Sequence, residues 1–200
     1  MDKSFFKFEQ FFRSACLFEA SLSVLAIIIG LIANVNPFEN LHFSEIAIIY
    51  GVLGTAPLFL MFISLEKIQV AHVSEIKDLL LKTLGPSLHQ YHWTDLLILA
   101  AIAGFSEELL FRGLLQPWIG HSWGPMAGLI ISNLIFGLVH AATPLYAILA
   151  TLVGIYFGLS MEIMGETNLL VPIIIHGLYD FLAFIVLMRT YKASLESSNF

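Results

Sequence analysis

The sequence predicts an all-α protein that crosses a membrane as a bundle of about six helices. Hydrophobic residues make up 58% of the 200 residues and charged residues only 12%, whereas soluble domains contain roughly 45–50% apolar and 25% charged residues. So few charged groups could not cover the surface of a soluble domain. The apolar runs are also long, and about 17–25 residues suffice to cross the hydrocarbon core of a bilayer.

Six apolar runs approach or reach that length. They extend approximately over Leu17–Val35, Ser44–Leu65, Trp93–Trp118, Pro125–Ala142, Leu145–Met164 and Leu169–Met188. Short connections between the last four runs favour antiparallel neighbours in one bundle. We therefore divide the chain into residues 1–92, with two membrane helices and a cytoplasmic connector, and residues 93–200, with a core of about four membrane helices.

The connector from Glu66 to His92 is the one polar stretch of the chain. One helical face of the connector carries the apolar residues Ile76, Leu79, Leu80 and Leu84. The charged residues Glu75, Lys77, Asp78 and Lys82 lie outside that face. This pattern is typical of an amphipathic helix in the cytoplasmic interface. A solvated connector that ends at Gly85-Pro86 is the alternative.

The cations predict the orientation, because lysine and arginine concentrate in cytoplasmic loops. Those outside the runs are Lys3, Lys7, Arg13, Lys67, Lys77, Lys82, Arg189 and Lys192. Six spans with both termini in the cytoplasm place all of them on that side and leave Arg112 as the only cation inside a run. No small-residue cleavage pattern follows the first run, so we expect it to be retained as an anchor.

Composition also excludes several classes of protein. The net charge of −6 is spread along the chain, and no basic stripe is available to neutralise phosphates, so we expect no nucleic-acid partner. Cys16, the single cysteine, can form neither an internal disulfide nor a thiolate metal site. Glu19 lies near the start of the first run, where it can reach the interface, and we assign it no chemistry.

Ionisable side chains inside the third run indicate a functional site, because each costs about 2.5–3.5 kcal/mol on insertion scales. Glu108 and Arg112 are four residues apart and share a helical face, in the order that favours an ion pair. Glu107 is rotated by about 100° from Glu108 and has no cation on its own helix. We therefore expect Glu107 to be the general base and the other two to support it.

The fourth and sixth runs contribute histidines. His176 and Asp180 are also four residues apart, so the carboxylate can fix the tautomer of the imidazole. In the fourth run, Asn133 and His140 share a face and the Phe136 ring can wedge against His140. We expect Asn133 and Phe136 to support the water or the oxyanion.

These residue types are compatible with more than one function. A glutamate that activates water, assisted by imidazoles, is sufficient to hydrolyse an amide. Zinc or iron bound by Glu107, His140 and His176 is the rival chemistry. A non-catalytic immunity factor or binding scaffold, with polar residues that join helices, is the alternative from another class.

Three motifs in order resemble those of the CAAX protease and bacteriocin-processing family of intramembrane glutamic endopeptidases, which includes the type II CAAX prenyl endopeptidases. They are Glu-Glu-x-x-x-Arg at Glu107–Arg112, Phe-x-x-x-His at Phe136–His140 and His-x-x-x-Asp at His176–Asp180. The resemblance covers roughly Trp93 to Met188. It implies a membrane-embedded peptidase that works without a metal or other cofactor on a peptide or membrane-anchored protein in the bilayer.

The resemblance also implies roles for individual residues. Glu107 matches the glutamate that activates water, and His140 matches the histidine that helps to position it. Glu108 and Arg112 complete the first motif, and His176 and Asp180 match the motif associated with oxyanion stabilisation. The prenyl-processing branch usually has Asn at the last position, whereas an ionised Asp180 can only accept a hydrogen bond.

Aspartate at this position is common in prokaryotic relatives, which are associated with peptide maturation, bacteriocin self-immunity and processing of sorting segments. We therefore expect the inner membrane of a prokaryotic cell. Counted along straight helices, Glu107 and His176 lie about 18 Å from the cytoplasmic ends of their runs, and His140 lies much nearer its end. We expect tilt, glycine-assisted packing, a longer fourth helix or a cytoplasmic cavity to reconcile these depths.

Overall fold

The computed structural model describes residues 3–197 of the chain, with side chains over residues 10–197. Every regular element in this range is helical, which confirms the all-α prediction. The elements are α1 (Lys3–Ala33), α2 (Glu45–Lys67), α3 (Ala71–Thr83), α4 (Gly85–Leu88), α5 (Trp93–Glu108), a π-helical segment (Leu109–Leu115), α6 (Gln116–Trp123), α7 (Pro125–Val139), α8 (Pro144–Ser160) and α9 (Leu170–Ser197). The side chains of Lys3 and Lys7, used above for orientation, lie outside the described side chains.

Three helices of the described chain are long and apolar enough to cross a membrane: residues 10–33 of α1, α2 and α9. Helices α7 and α8 are apolar but shorter. The third predicted run is a continuous helical path from α5 through the π-helical segment to α6. The outward faces expose large apolar side chains such as Leu31, Leu53 and Leu138, as expected of a surface in contact with lipid. The chain is therefore an integral membrane protein built as a helical bundle.

Helix α5 lies at the centre of the bundle, between α1 and α9, and α9 also packs against α2. Gly104 and Gly177 allow the close approach of α5 and α9, because a Cβ atom on Gly104 would lie 2.6 Å from the Gly177 nitrogen. Small residues at helix contacts have this effect in membrane bundles. The contact places Glu107 and Glu108 beside His176.

The amphipathic connector forms α3, which contacts α8 and α9. Ile76 on its apolar face is buried, as the pattern predicts. Lys77 lies outside that apolar face. Its Nζ donates hydrogen bonds to the carbonyl oxygens of Glu66 and Ile68 at the end of α2. These carbonyls lack partners within their own helix, so a lysine is well suited to cap them.

Candidate active site

A buried network centred on Glu108 joins five segments of the bundle, four of them through Arg112. Arg112 Nη1 donates to Glu108 Oε1 at 2.8 Å, and both side chains are fully buried. Arg112 Nη2 donates to Asn133 Oδ1 at 2.7 Å and to the carbonyl oxygen of Gly154 at 2.9 Å. One guanidinium thus fixes the π-helical segment against α5, α7 and α8, through hydrogen bonds that its charge strengthens.

Asn133 and Phe136 on α7 both contact this guanidinium. Asn133 Nδ2 donates to the Leu129 carbonyl at 2.7 Å, which fixes the orientation of its amide. The Phe136 ring centroid lies 4.5 Å from the guanidinium carbon of Arg112, within the range of a cation–π interaction. Asn133 therefore contacts Arg112, although the sequence predicted that it would support the water or the oxyanion.

His176 on α9 lies between two carboxylates. Its Nδ1 is 2.8 Å from Glu108 Oε1, and its Nε2 is 3.5 Å from Asp180 Oδ2. The Phe157 ring stacks on the imidazole at a centroid distance of 4.7 Å. The spacing of His176 and Asp180 predicts the second contact, while the contact with Glu108 depends on the packing of α9 against α5.

Glu107 has different surroundings from its neighbour in sequence. Its Oε2 lies 3.5 Å from His140 Nε2 and accepts no hydrogen bond from any residue in the described part of the chain. His140 Nδ1 is 2.8 Å from the Phe136 carbonyl oxygen, which can only accept, so Nδ1 carries the hydrogen. In a neutral imidazole, Nε2 is then an acceptor that faces the carboxylate. Two acceptors in this arrangement suit a water molecule that donates to both.

A cavity of about 250 Å³ extends from this pair of acceptors, between α2, α3, α8 and α9. Its polar end is lined by Glu107, His140, His176 and Asp180, and its opposite end by Glu66 and Thr190. The remaining wall is mainly apolar, with side chains such as Phe62, Leu80 and Phe184. The far end lies near the end of α2 and in the last part of α9, close to the predicted cytoplasmic segments. The cavity therefore provides a route for water to the buried acids.

The short helix α7 explains how His140 meets Glu107. Helix α7 has 15 residues and is therefore about 22 Å long. It ends at Val139, His140 is its C-terminal cap, and α8 begins at Pro144. The turn between α7 and α8 therefore lies at the depth of Glu107. The fourth run is shorter than predicted, because its helix ends at Val139 and not at Ala142. His140 therefore lies at the depth of Glu107 without a fourth helix that extends beyond Pro144.

Three residues near the site were missed by reasoning from the sequence. Phe157 stacks on His176, and Tyr146 lines the cavity; both lie in an apolar run where nothing distinguishes them from residues that face lipid. Glu19 could have been recognised from the sequence, because it is an acidic residue inside an apolar helix. Its Oε2 is buried and has no hydrogen-bond partner among the described residues, and its charge interacts with those of Glu107 and Asp180. The prediction that Glu19 reaches the interface is therefore not supported.

Comparison with known proteins gives one match. Residues 89–182 match the family model described as type II CAAX prenyl endopeptidase Rce1-like. No curated protein and no solved structure is found to match the chain. The matched segment contains all three motifs and every residue of the network around Glu108 and Glu107. The family resemblance predicted from the motifs is thus confirmed by this match over residues 89–182.

Proposed function

We propose that the protein is an intramembrane endopeptidase that hydrolyses a peptide bond with water activated by Glu107. The observation that carries this proposal is the facing pair of acceptors, Glu107 Oε2 and His140 Nε2, 3.5 Å apart at the polar end of the cavity. A carboxylate without a cation on its own helix and without a hydrogen-bond donor is available to take a proton from water. The family match supports hydrolysis of peptides.

The proposed reaction has two proton transfers through Glu107. The carboxylate takes one proton from water while the oxygen attacks the carbonyl carbon of the peptide. Glu107 then returns that proton to the nitrogen of the leaving amine as the carbon–nitrogen bond breaks. His140 Nε2 accepts the second hydrogen of the water and so orients the attacking oxygen.

The remaining site residues act through these two. Glu108 and Arg112 are fully buried, so they hold His176 and α7 in place. Asn133 orients Arg112, and Phe136 packs against both Arg112 and His140. His176 and Asp180 line the cavity beside Glu107, and Asp180 lies 3.5 Å from His176 Nε2, where it orients the imidazole.

The substrate is a peptide or a membrane-anchored protein whose residues around the cleaved bond are apolar. The mainly apolar wall of the cavity favours such segments. The family name indicates proteins with a prenylated C-terminal CAAX sequence as one class to test. A peptide set should therefore include apolar sequences with and without a farnesylated cysteine.

The zinc alternative has no support from the arrangement of ligands. Within residues 10–197, no three His, Cys, Asp or Glu side chains are placed to hold a metal ion. His176 has Nδ1 2.8 Å from Glu108 and Nε2 3.5 Å from Asp180, so both of its nitrogens face carboxylates. No observation favours a purely non-catalytic scaffold.

The decisive experiment measures cleavage of this peptide set by the purified protein in liposomes, with mass spectrometry of the products. We expect cleavage in the presence of EDTA and of 1,10-phenanthroline. Glu107→Gln should lower kcat by at least about 100-fold, because general base catalysis is lost. Glu162→Gln, at an exposed residue just after α8, is the matched control and should retain full activity.

Two outcomes would contradict the proposal. Inhibition by chelators that zinc reverses would show a metalloprotease. Unchanged kcat in Glu107→Gln, with correct insertion of the variant, would remove Glu107 from the reaction.

A further inference from the structure

The hydrogen-bond donors of the site are almost all committed to partners within the protein. Arg112 is fully buried and its two terminal nitrogens donate to Glu108, Asn133 and Gly154. His140 Nδ1 donates to the Phe136 carbonyl. Both nitrogens of His176 face carboxylates. An ionised Asp180 accepts hydrogen bonds and donates none.

Attack of water on a peptide carbonyl nevertheless requires a donor. The carbonyl oxygen becomes an oxyanion in the tetrahedral intermediate, and a hydrogen bond aimed at that oxygen stabilises the transition state. Asp180 lines the polar end of the cavity but cannot supply this donor when ionised. A different side chain on the cavity wall, with a donor that is not committed, can supply it.

Tyr146 lines the same cavity as the general base and has an unused hydroxyl group. It lies in the first turn of α8, where Thr143 Oγ1 accepts a hydrogen bond from its backbone N–H at 3.1 Å. Its side chain lines the cavity together with Glu107 and Asp180. Among the described residues none forms a hydrogen bond with its hydroxyl, which is also not sealed from the cavity.

The Tyr146 hydroxyl shares its electrostatic surroundings with the general base. The charges of both Asp180 and Glu107 act on the Tyr146 hydroxyl. Tyr179 lines the same cavity, but its hydroxyl interacts with Asp180 and Tyr146, and its ring packs edge-on against Phe62. Of the two tyrosines that line the cavity, Tyr146 is thus the one whose ring is not packed against Phe62 and which shares the charges of Glu107.

We propose that the Tyr146 hydroxyl donates a hydrogen bond to the carbonyl oxygen of the cleaved peptide bond and stabilises the oxyanion that forms there. The hydroxyl thus supplies the donor that Asp180 does not. This inference rests on the proposed peptidase function and adds a catalytic residue to it. No proton is transferred from Tyr146, so the two proton transfers remain those of Glu107.

The test compares Tyr146→Phe with Tyr156→Phe, which removes a hydroxyl from the same helix. Tyr156 lies outside the cavity lining, and its hydroxyl donates to the Gly54 carbonyl at 2.7 Å. The probe is the peptide from the farnesylated and unmodified set that wild-type protein in liposomes cleaves fastest. For Tyr146→Phe we expect kcat to fall about 100-fold, with KM and the melting temperature unchanged, because no hydrogen bond within the protein is lost.

Tyr156→Phe should show the opposite pattern, with a lower melting temperature and unchanged kcat, because it loses a hydrogen bond between α8 and α2 but no contact with substrate. Wild-type kcat in Tyr146→Phe would overturn the inference, and so would a loss of kcat matched by the same loss in Tyr156→Phe. These results are distinct from failure of the proposed function, which would appear as no cleavage by the wild-type protein or as full activity of Glu107→Gln.

Discussion

At the scale of single residues, the adjacent acids Glu107 and Glu108 differ in what surrounds them. Glu108 is fully buried, and one of its oxygens contacts both Arg112 and His176. Glu107 is 8% exposed, lines the cavity and receives no hydrogen bond from the described chain. The helical rotation of about 100° between neighbours is the cause, because it directs the two carboxylates to different helices. One acid therefore stabilises the bundle and the other is free for chemistry.

This difference predicts unequal effects on stability. Arg112→Ala should lower the free energy of unfolding by about 3–5 kcal/mol, because Glu108 would remain buried without its cation. Glu107→Ala should have a much smaller effect, since that side chain forms no hydrogen bond within the described chain. Thermal unfolding in detergent, followed by circular dichroism, measures both. Arg112→Lys is the control that keeps the charge but lacks the planar guanidinium group. Its free energy of unfolding should lie between those of the wild-type protein and Arg112→Ala. Equal melting temperatures for the two alanine variants would contradict the pairing.

The contacts that sequence could predict are those within one helix. Glu108–Arg112 and His176–Asp180 follow from the helical period, so spacing alone is enough. The contacts of Glu108 with His176 and of Glu107 with His140 join different helices, and the motifs indicate only that these residues converge. Tyr146 could not be identified, because a tyrosine in an apolar run has the same local pattern whether it faces lipid or a cavity.

At the scale of elements, the π-helical segment Leu109–Leu115 is the feature that helical periodicity could not reveal. It begins directly after Glu108 and contains Arg112 and Gly113. A wider turn of this kind is rare and is often found at functional sites. Here it continues the path of α5 into α6 while Arg112 remains directed at Glu108, Asn133 and Gly154. The amphipathic pattern of the connector, in contrast, left an interfacial helix and a solvated connector open, and the structure has α3 there with Ile76 buried.

The packing of α5 against α9 gives a prediction at the same scale. A Cβ on Gly104 would lie 2.6 Å from the Gly177 nitrogen, whereas a Cβ on Gly177 would lie 3.4 Å from the Ala100 carbonyl oxygen. Gly104→Ala must therefore push the two helices apart, at a cost of about 1–3 kcal/mol, and should reduce peptide cleavage because His176 moves away from Glu108.

Gly177→Ala is the matched control for this pair. Its added methyl group would meet its neighbour close to ordinary van der Waals distance, so we expect near-normal melting temperature and activity. Both quantities can be measured on the two proteins purified in parallel. If Gly104→Ala were as stable and active as Gly177→Ala, close packing of α5 on α9 would not be what positions the site.

At the scale of the whole molecule, the few charges of the chain have two separate uses. Inside the bundle, Arg112 and the acids around it form the site. Outside it, lysine and arginine residues occupy the first part of α1, the stretch from the last residue of α2 through α3, and the last part of α9. The cavity extends to Glu66 near the end of α2 and to Thr190 in the last part of α9, so the positive-inside pattern also predicts that it opens towards the cytoplasm.

That orientation can be tested with single cysteines, because Cys16 is the only cysteine in the chain. In a Cys16→Ser background, Glu75→Cys on α3 and Glu166→Cys in the connection between α8 and α9 place exposed thiols at residues on opposite predicted sides of the membrane. A membrane-impermeant maleimide applied to intact cells, with the outer membrane permeabilised where one is present, should label Glu166→Cys and leave Glu75→Cys unlabelled until the inner membrane is opened. The reverse pattern would place α3 and the cavity outside the cytoplasm. Water and substrate would then have to reach Glu107 from the outer face.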